Sequence, residues 1–297
     1  MHKNAYTILL LTTLFWGGNA VAGKLAVGHV SPMLLNTARW GFAFFIICII
    51  GWPRLKADWP KVRERAVYLL LLGAVGFAVY NAALYSALLY TSAVNASIEN
   101  AGIPMVIFLA NFLIFRLRPS SAQMLGFLIS LLGVALTVSQ GDLSRLLSLD
   151  LNFGDLLVLV AVLVYSGYAV LLRVKPQVHW QSLMIALTAG AFLASIPLAA
   201  VEAYAGAVIL PDALGWGVIL YTTIFASLLS QIFFMRGVEL IGSNRAGLFI
   251  NLMPVFGTLL SVILLREAFH LHHAIALALV LGGIALSEAG GRRVATA

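Results

Sequence analysis

The sequence is short of charge, since only 10% of its 297 residues are Asp, Glu, Lys or Arg, against about 25% in an ordinary soluble domain. It contains a single cysteine, Cys48, so an intrachain disulfide is excluded. No polar stretch is long enough to form a separate soluble domain. Instead, 62% of the residues are hydrophobic, which excludes a soluble globular fold and indicates an integral membrane protein.

Motifs that carry chemistry are also missing. Residues 18–24 fit the phosphate-loop pattern GxxxxGK, but Leu25 stands where that loop needs Ser or Thr, and the match lies inside an apolar segment. Three histidines occur within residues 270–273 without converging ligands, which favours a wet interfacial cluster over a metal site. We therefore predict no enzyme activity, no catalytic residue, no cofactor and no bound metal.

The apolar residues fall into ten segments, and none shows the alternation of a membrane β-strand. Lipid offers no partner to backbone groups, so each segment is predicted to be a helix, which needs about 20 residues to cross a bilayer. The segments are residues 4–27, 31–51, 67–89, 93–115, 122–139, 154–173, 183–203, 213–237, 244–265 and 272–289. The predicted fold class is an all-α integral membrane protein with ten transmembrane helices.

Basic residues are concentrated on one side of this predicted bundle. The loops on the opposite side hold only Arg145 and Arg266. The N-terminal side receives Lys3, Arg54, Lys56, Lys61, Arg63, Arg65, Arg116, Arg118, Arg173, Lys175, Arg236, Arg292 and Arg293. The positive-inside rule then predicts a multi-pass protein of the inner (plasma) membrane with both termini in the cytoplasm. The net charge of +7 is explained by topology, and we expect no nucleic-acid partner.

The two halves of the sequence resemble each other. At an offset of 150, residues of the first half recur in the second: Ala96, Pro104, Arg116, Gly133, Ala135 and Leu136 fall on Ala246, Pro254, Arg266, Gly283, Ala285 and Leu286. Chance matches between apolar helices are the alternative interpretation. A true repeat gives each half five crossings, an odd number that inverts the second half, as in secondary transporters. We predict two five-helix repeats, residues 1–140 and 141–297.

Three stretches carry a resemblance to a known family. They are FWGGNAVAGKLAVGHVSPMLLNTARWGFA at 15–43, ALLYTSAVNASIENAGIPMVIFLANFL at 87–113 and GVELIGSNRAGLFINLMPVFGTLLSVILLREAF at 237–269. The chain resembles the ten-helix EamA-type branch of the drug/metabolite transporter superfamily. A family Glu is matched by Glu267 in the second half, whereas Leu117 occupies the corresponding first-half position. The resemblance implies export of amino acids, other metabolites or drugs, and the chain is similar to exporters of aromatic and neutral amino acids.

Ionisable residues inside a predicted span are the strongest pointers to function, because a buried charge is costly in lipid. Arg39 and Glu99 lie at similar depths, roughly 10 Å from the face opposite the termini. We hypothesise that they pair and that Asn19, at a similar depth, joins them. The group is either a substrate or gate site, or a structural ion pair that fixes helix register.

Tyrosine and asparagine side chains form a second candidate set. Asn81 and Tyr85 are four residues apart and so share a helix face, and Tyr80 is the sequence neighbour of Asn81. Tyr168 lies near the middle of the sixth segment. Aromatic rings with polar tips suit a cavity for a zwitterion with an apolar or aromatic side chain. Packing between helices is the alternative role for these tyrosines.

Prolines and glycines indicate backbone features. Pro104 and Pro254 occupy matching depths in two segments, where each removes one backbone hydrogen bond and is expected to kink its helix. They are candidate hinges, with static packing as the alternative. Gly17, Gly18 and Gly23 are interpreted as positions of close helix approach.

These observations favour a secondary transporter that exports amino acids, aromatic or neutral ones in particular, or similar small metabolites by alternating access. Its expected partners are that small-molecule substrate and membrane lipid, and the sequence makes no prediction of oligomeric state. The direction of transport is what the family resemblance implies. Two alternatives stay open, a multidrug efflux transporter and a membrane structural or assembly protein that moves no solute.

Overall fold

The computed structural model describes residues 2–116, 120–142, 152–241, 246 and 249–295. Leu117, Arg118 and Arg145 lie outside the described residues. Within these ranges the regular secondary structure is entirely helical. Eight helices are long and apolar enough to cross a membrane, and two shorter apolar helices, Met253–Leu265 and Leu271–Ser287, complete the set. The all-α membrane fold class predicted from the sequence is confirmed.

The helices follow the predicted order. They are α1 (His2–Leu25), α2 (Pro32–Glu64), α3 (Ala66–Ala87), α4 in two pieces (Ala93–Asn100 and Ile103–Phe115), α5 (Ser121–Val138), α6 (Phe153–Leu171), α7 (Trp180–Tyr204), α8 (Ala213–Ile241), α9 (Met253–Leu265) and α10 (Leu271–Ala295). Two of them contain a π-helical stretch, Ala74–Val79 in α3 and Thr222–Leu229 in α8.

Helix α2 is longer than the segment predicted at 31–51, since it continues to Glu64. The extension stays helical because it packs against the rest of the protein: Leu55 and Val62 are buried. Asp58 also fixes it, because its Oδ2 accepts hydrogen bonds from the backbone N of His179 (2.7 Å) and from Ser182 Oγ (2.8 Å). Apolar content alone underestimates the length of a helix whose polar end is held by tertiary contacts.

Helices α5 and α10 reveal the repeat in their packing. A Cβ on Gly126 would lie 2.4 Å from the carbonyl oxygen of Gly283, and one on Gly133 would lie 2.7 Å from that of Ala276. The offset of 150 converts the first of these contacts into the second. Ser130 Oγ donates to the carbonyl of Val280 (3.1 Å), its own repeat-related residue. The two helices therefore cross at a pseudo-twofold axis, and chance similarity does not explain this geometry.

Helices α4 and α9 show the same relation in their backbone. Arg116 and Arg266, which follow the two helices, both adopt a left-handed conformation, with φ of 53° and 55°. Glycine usually occupies such a position because a Cβ makes it strained. Two repeat-related arginines thus terminate their helices in the same unusual way.

The prolines interrupt these helices more sharply than the kink expected from the sequence. Pro104 lies at the start of the second piece of α4, and Pro254 lies at the start of α9. Each helical piece follows a turn, closed by Gly102 N to Glu99 O in one repeat and by Leu252 N to Phe249 O in the other, both 2.9 Å. Because proline lacks an N–H, the helix is broken there and restarted.

Candidate functional site

A cavity of about 1250 Å³ lies between the two halves of the bundle. Drug-sized ligands typically occupy sites of about 300–1,000 Å³, so the space suffices for a small metabolite with water. Most of the residues predicted from the sequence to contact substrate or act as hinges line it: Asn19, Arg39, Tyr80, Asn81, Tyr168, Pro104 and Pro254. The other two, Tyr85 and Glu99, are outside its wall.

Arg39 of α2 is the centre of a buried hydrogen-bond network. Its Nη1 donates to Asn19 Oδ1 (2.8 Å), to Asn81 Oδ1 (2.9 Å) and to the hydroxyl of Tyr85. Its Nε donates to Ser227 Oγ (2.7 Å). These partners come from α1, α3 and α8, so one side chain connects four helices. All four partners are neutral side chains.

The backbone of α3 and α8 holds the partners in place. Asn81 Nδ2 donates to the carbonyl of Phe77 (2.8 Å), which turns its Oδ1 toward Arg39. Ser227 lies in the π-helical stretch of α8 and donates to the carbonyl of Thr222, five residues earlier (2.9 Å). A π-helical turn displaces side chains from α-helical register and is often found at functional sites. The hydroxyl lone pairs of Ser227 are thereby directed to Arg39.

Several donors on the cavity wall remain available to a ligand. Arg39 Nη2 donates to none of the residues that the structure describes. Trp40 Nε1 and Ser97 Oγ are buried and have no hydrogen-bond partner within the same described part of the chain. Arg39 is the one charged residue among the described residues that line the cavity. The site is therefore equipped for a ligand that bears a negative, hydrogen-bond-accepting group.

Aromatic rings form a continuous wall of this cavity, which we call the aromatic wall: Trp40, Phe77, Tyr168, Tyr165 and Tyr80. Trp40 stacks on Phe77 with ring centroids 4.6 Å apart and planes 9° apart. The next contacts, Phe77 to Tyr168, Tyr168 to Tyr165 and Tyr165 to Tyr80, have centroid distances of 5.4, 5.4 and 5.0 Å. The guanidinium carbon of Arg39 lies 4.8 Å from the Trp40 ring centroid. The wall thus begins at the cationic group.

Arg39 and Glu99 do not pair, and the hypothesis that they do is wrong. The two salt bridges among the described residues are His29–Asp212 and Arg236–Glu239. Arg39 faces α1, α3 and α8, whereas Glu99 interacts with Asp155 of α6. The similar depth of the two residues did not determine which face of its helix each side chain occupies, or which residue it contacts. The structural ion pair considered as an alternative is excluded with it, while a substrate role for Glu99 stays a prediction.

Tyr85 supports the site from behind the cavity. Its side chain is 1% exposed, and its hydroxyl donates to Asn19 Oδ1 (3.0 Å) while it accepts from Arg39. It packs against the close approach of α1 and α3, where a Cβ on Gly23 would lie 2.8 Å from its ring. Tyr85 therefore orients Arg39, and direct contact with a substrate stays a prediction.

Sequence reasoning missed several residues of the wall. Ser227, Trp40, Ser97 and Asn100 all line the cavity, and none was among the predicted substrate contacts. The π-helical register of α8 has no signature in hydrophobic periodicity, so the position of Ser227 had no detectable signal. Trp40 did have a detectable sequence signal, because it directly follows Arg39, a charged residue within a predicted span. In the part of the chain that the structure describes, no group of three or more His, Cys, Asp or Glu residues is placed to hold a metal ion.

Comparison with known proteins matches the chain twice to one family model, the EamA-like transporter family, over residues 3–139 and 152–288. Similar proteins include the uncharacterized transporter YetK of Bacillus subtilis, 24% identical over 94% of this chain and 85% of YetK. An uncharacterized transporter of Archaeoglobus fulgidus is 29% identical over 94% of this chain and 96% of its own length.

One solved crystal structure superposes on nearly the whole molecule. It has a TM-score of 0.65 and 22% sequence identity, and the match covers 98% of this chain and 99% of that one. At this identity the likeness establishes the shared fold. It extends over both repeats, which agrees with the double match to the family model.

Proposed function

Because the chain belongs to the EamA-like transporter family, we propose that it exports amino acids with neutral or aromatic side chains, or similar small amphipathic metabolites. Family membership makes it a multi-pass membrane transporter and not an enzyme. The chemistry of the cavity supports the proposed substrate class. The proposed location is the inner membrane with cytoplasmic termini, which rests on the distribution of basic residues.

The observation that carries the proposal is the state of Arg39. Arg39 is 4% exposed and lines the cavity, and its hydrogen-bond partners among the described residues are all neutral. A buried charge without a counter-ion is costly, so a substrate carboxylate that neutralises it would gain a charge-assisted hydrogen bond. Nη2 and the unpartnered Trp40 Nε1 are the donors that such a carboxylate would meet.

The aromatic wall supports an apolar or aromatic substrate side chain. It extends from Trp40 beside the guanidinium to Tyr80, whose hydroxyl donates to Asn100 Oδ1 (3.5 Å). Offset or edge contacts between aromatic rings add about 0.5–1.5 kcal/mol beyond area burial. The carbonyl oxygens of Asn100 and Gln231 are neutral acceptors for an α-ammonium group, and both residues line the cavity.

Alternating access fits the repeat-related helix breaks. Pro104 and Pro254 both line the cavity, and each lies at the start of a helical piece that follows a turn. Breaks in facing repeats are where one bundle can move against the other around a central site. We propose that these two breaks act as hinges that expose the cavity to each side of the membrane in turn.

Radiolabelled flux in proteoliposomes tests this function. Phenylalanine or leucine trapped with the protein should leave faster than from protein-free vesicles and should exchange with unlabelled amino acid outside. Efflux of bulky hydrophobic cations without amino-acid flux would instead favour multidrug efflux, the role that the size of the cavity also suits. Absence of flux for every class of solute would favour a structural or assembly role.

A further inference from the structure

A second buried polar cluster lies off the cavity, where α4, α6 and α10 meet on the side opposite the termini. Asp155 in the first turn of α6 is fully buried. Its Oδ1 accepts from Thr91 Oγ1 and from Asn95 Nδ2, the latter at 3.3 Å. Asn95 Oδ1 in turn lies 3.1 Å from Nε2 of His273, a residue that is 5% exposed. A carboxyl, an amide and an imidazole are thereby connected inside the protein.

Glu99 lies one helical turn beyond Asn95 and is aimed into this cluster. It is 0% exposed, and within the described part of the chain neither carboxyl oxygen meets hydrogen-bond geometry with a partner. Its carboxyl interacts with that of Asp155. An unpartnered buried carboxyl loses its hydration without compensation, so this position demands a ligand that the surrounding side chains do not supply.

The charged groups around the pair do not provide that ligand. Neither carboxyl forms a salt bridge with any residue that the structure describes. From α1, Lys24 Nζ donates to the carbonyls of Leu88 and Thr91 (2.8 and 2.7 Å) and interacts with Glu267 rather than with the pair. Helices α5 and α9, which also pack on α4, contain no ionisable residue. From α10, His273 contacts the cluster through Asn95.

Two carboxyls buried side by side without a cation cannot both be ionised. One proton between them removes the repulsion and supplies the hydrogen bond that Glu99 lacks. Asn95 connects the pair to His273, whose Nε2 lies 3.1 Å from Asn95 Oδ1 and whose Nδ1 accepts from the backbone N of His270 (3.1 Å). His270 is exposed, His272 is half-buried with its ring 5.4 Å from that of His270, and the His273 ring is 4.1 Å from that of His272.

We propose that Glu99 and Asp155 form a proton-binding site and that its occupancy is coupled to transport. The coupling rests on the proposed function, whereas proton binding does not. The connection is helix α4: Ser97 and Asn100, on either side of Glu99 in sequence, line the cavity. The helix breaks immediately afterwards, at Ala101 and Gly102. Loss of the proton leaves Glu99 and Asp155 both negatively charged, and their repulsion displaces the short helical piece Ala93–Asn100 from α6.

Infrared titration of the purified protein tests proton binding without any transport. The C=O stretching band of a protonated carboxyl should persist at neutral pH and disappear in Glu99→Gln. Glu239→Gln is the matched control, since this exposed acid pairs with Arg236, and it should leave the band unchanged. A band that is absent at neutral pH, or one that survives in both Glu99→Gln and Asp155→Asn, overturns the proposed site.

Flux in proteoliposomes tests the coupling. A pH difference of one unit should change wild-type flux by up to about tenfold per coupled proton, and Glu99→Gln should exchange substrate while ignoring the gradient. Glu99→Asp should restore part of the response. A response to a sodium gradient in place of the proton gradient, or an undiminished pH response in Glu99→Gln, overturns the proton assignment. Loss of all flux in the wild type would contradict the proposed function, while the infrared band still decides the site.

Discussion

Two buried charges at similar depth in this protein have opposite surroundings. Arg39 has four neutral hydrogen-bond partners from three other helices and faces the cavity. Glu99 has none in the described part of the chain, lies off the cavity, and interacts with a second carboxyl. A charge that the protein stabilises and leaves open suits a transported ligand, whereas a charge that it leaves unstabilised suits a proton.

Removing each charge should therefore change stability in opposite directions. We expect Arg39→Met to lower the free energy of unfolding by about 2 kcal/mol or more, because it leaves buried acceptors unpaired. Glu99→Met should raise it by about 1 kcal/mol or more, because an apolar side chain avoids the desolvation cost of a buried carboxyl, which one shared proton offsets only in part. Thermal unfolding of the detergent-solubilised variants measures both. Equal destabilisation by both substitutions would erase the contrast between the two sites.

A substitution in the aromatic wall tests whether the cavity beside Arg39 recognises an aromatic side chain. Trp40→Leu retains an apolar side chain but loses ring stacking with Phe77 and the cation–π contact with Arg39. We expect weaker binding of phenylalanine by about 1 kcal/mol, or roughly fivefold, with a smaller change for leucine. Competition binding of the two amino acids measures the difference. An equal loss of affinity for both amino acids would mean that the wall contributes apolar contact area but does not favour an aromatic ring.

The helix breaks are expected to affect rates more than affinity. Replacing Pro104 by alanine restores a backbone N–H and allows one more helical hydrogen bond, worth about 1 kcal/mol. That bond should stiffen α4 and slow turnover several-fold with little change in substrate affinity. The repeat-related substitution Pro254→Ala should act in the same direction. Flux rates and binding constants of the two variants separate these effects, and unchanged rates in both would leave the prolines as static features.

The smallest effect is expected at an exposed carboxyl, Asp212, which contrasts with Glu99. The backbone N–H of Gly215, and then the His29 side chain, hold the pKa of Asp212 below its usual value of 3.8. A lowered pKa contributes stability at higher pH and loses it as pH falls through the folded value, hence below about 3.8. Asp212→Asn should melt slightly lower than wild type at neutral pH, and the difference should vanish in acid. A difference that grows in acid would contradict this sign.

Much of the architecture could be predicted because lipid imposes it. The length of the apolar segments predicted the helices. The matches at an offset of 150 predicted the repeat, which the contacts of Gly126 and Gly133 confirm. Residue depth grouped Arg39 with Asn19, and both line the cavity. Depth carries no information on helix face, however, which is why Arg39 and Glu99 were paired in error.

The remaining differences come from local backbone geometry. The π-helical stretches of α3 and α8 shift side-chain register, and no hydrophobic pattern marks them. A helix break and a proline kink cannot be distinguished in the sequence, because Pro104 lacks a backbone N–H in either case. Asp155, which interacts with Glu99, lies near the end of a predicted segment and so drew no attention as a buried charge.

The most direct test of the account is whether the cavity recognises a carboxylate through Arg39. Binding of phenylalanine, 3-phenylpropionate and phenylethylamine to the purified protein compares ligands that share a ring and differ in charged groups. We predict that wild type binds the two carboxylates at least tenfold more tightly than the amine and that Arg39→Met abolishes this preference, while Arg236→Met, at an exposed arginine, retains it. Equal or tighter binding of phenylethylamine to the wild type would contradict the account.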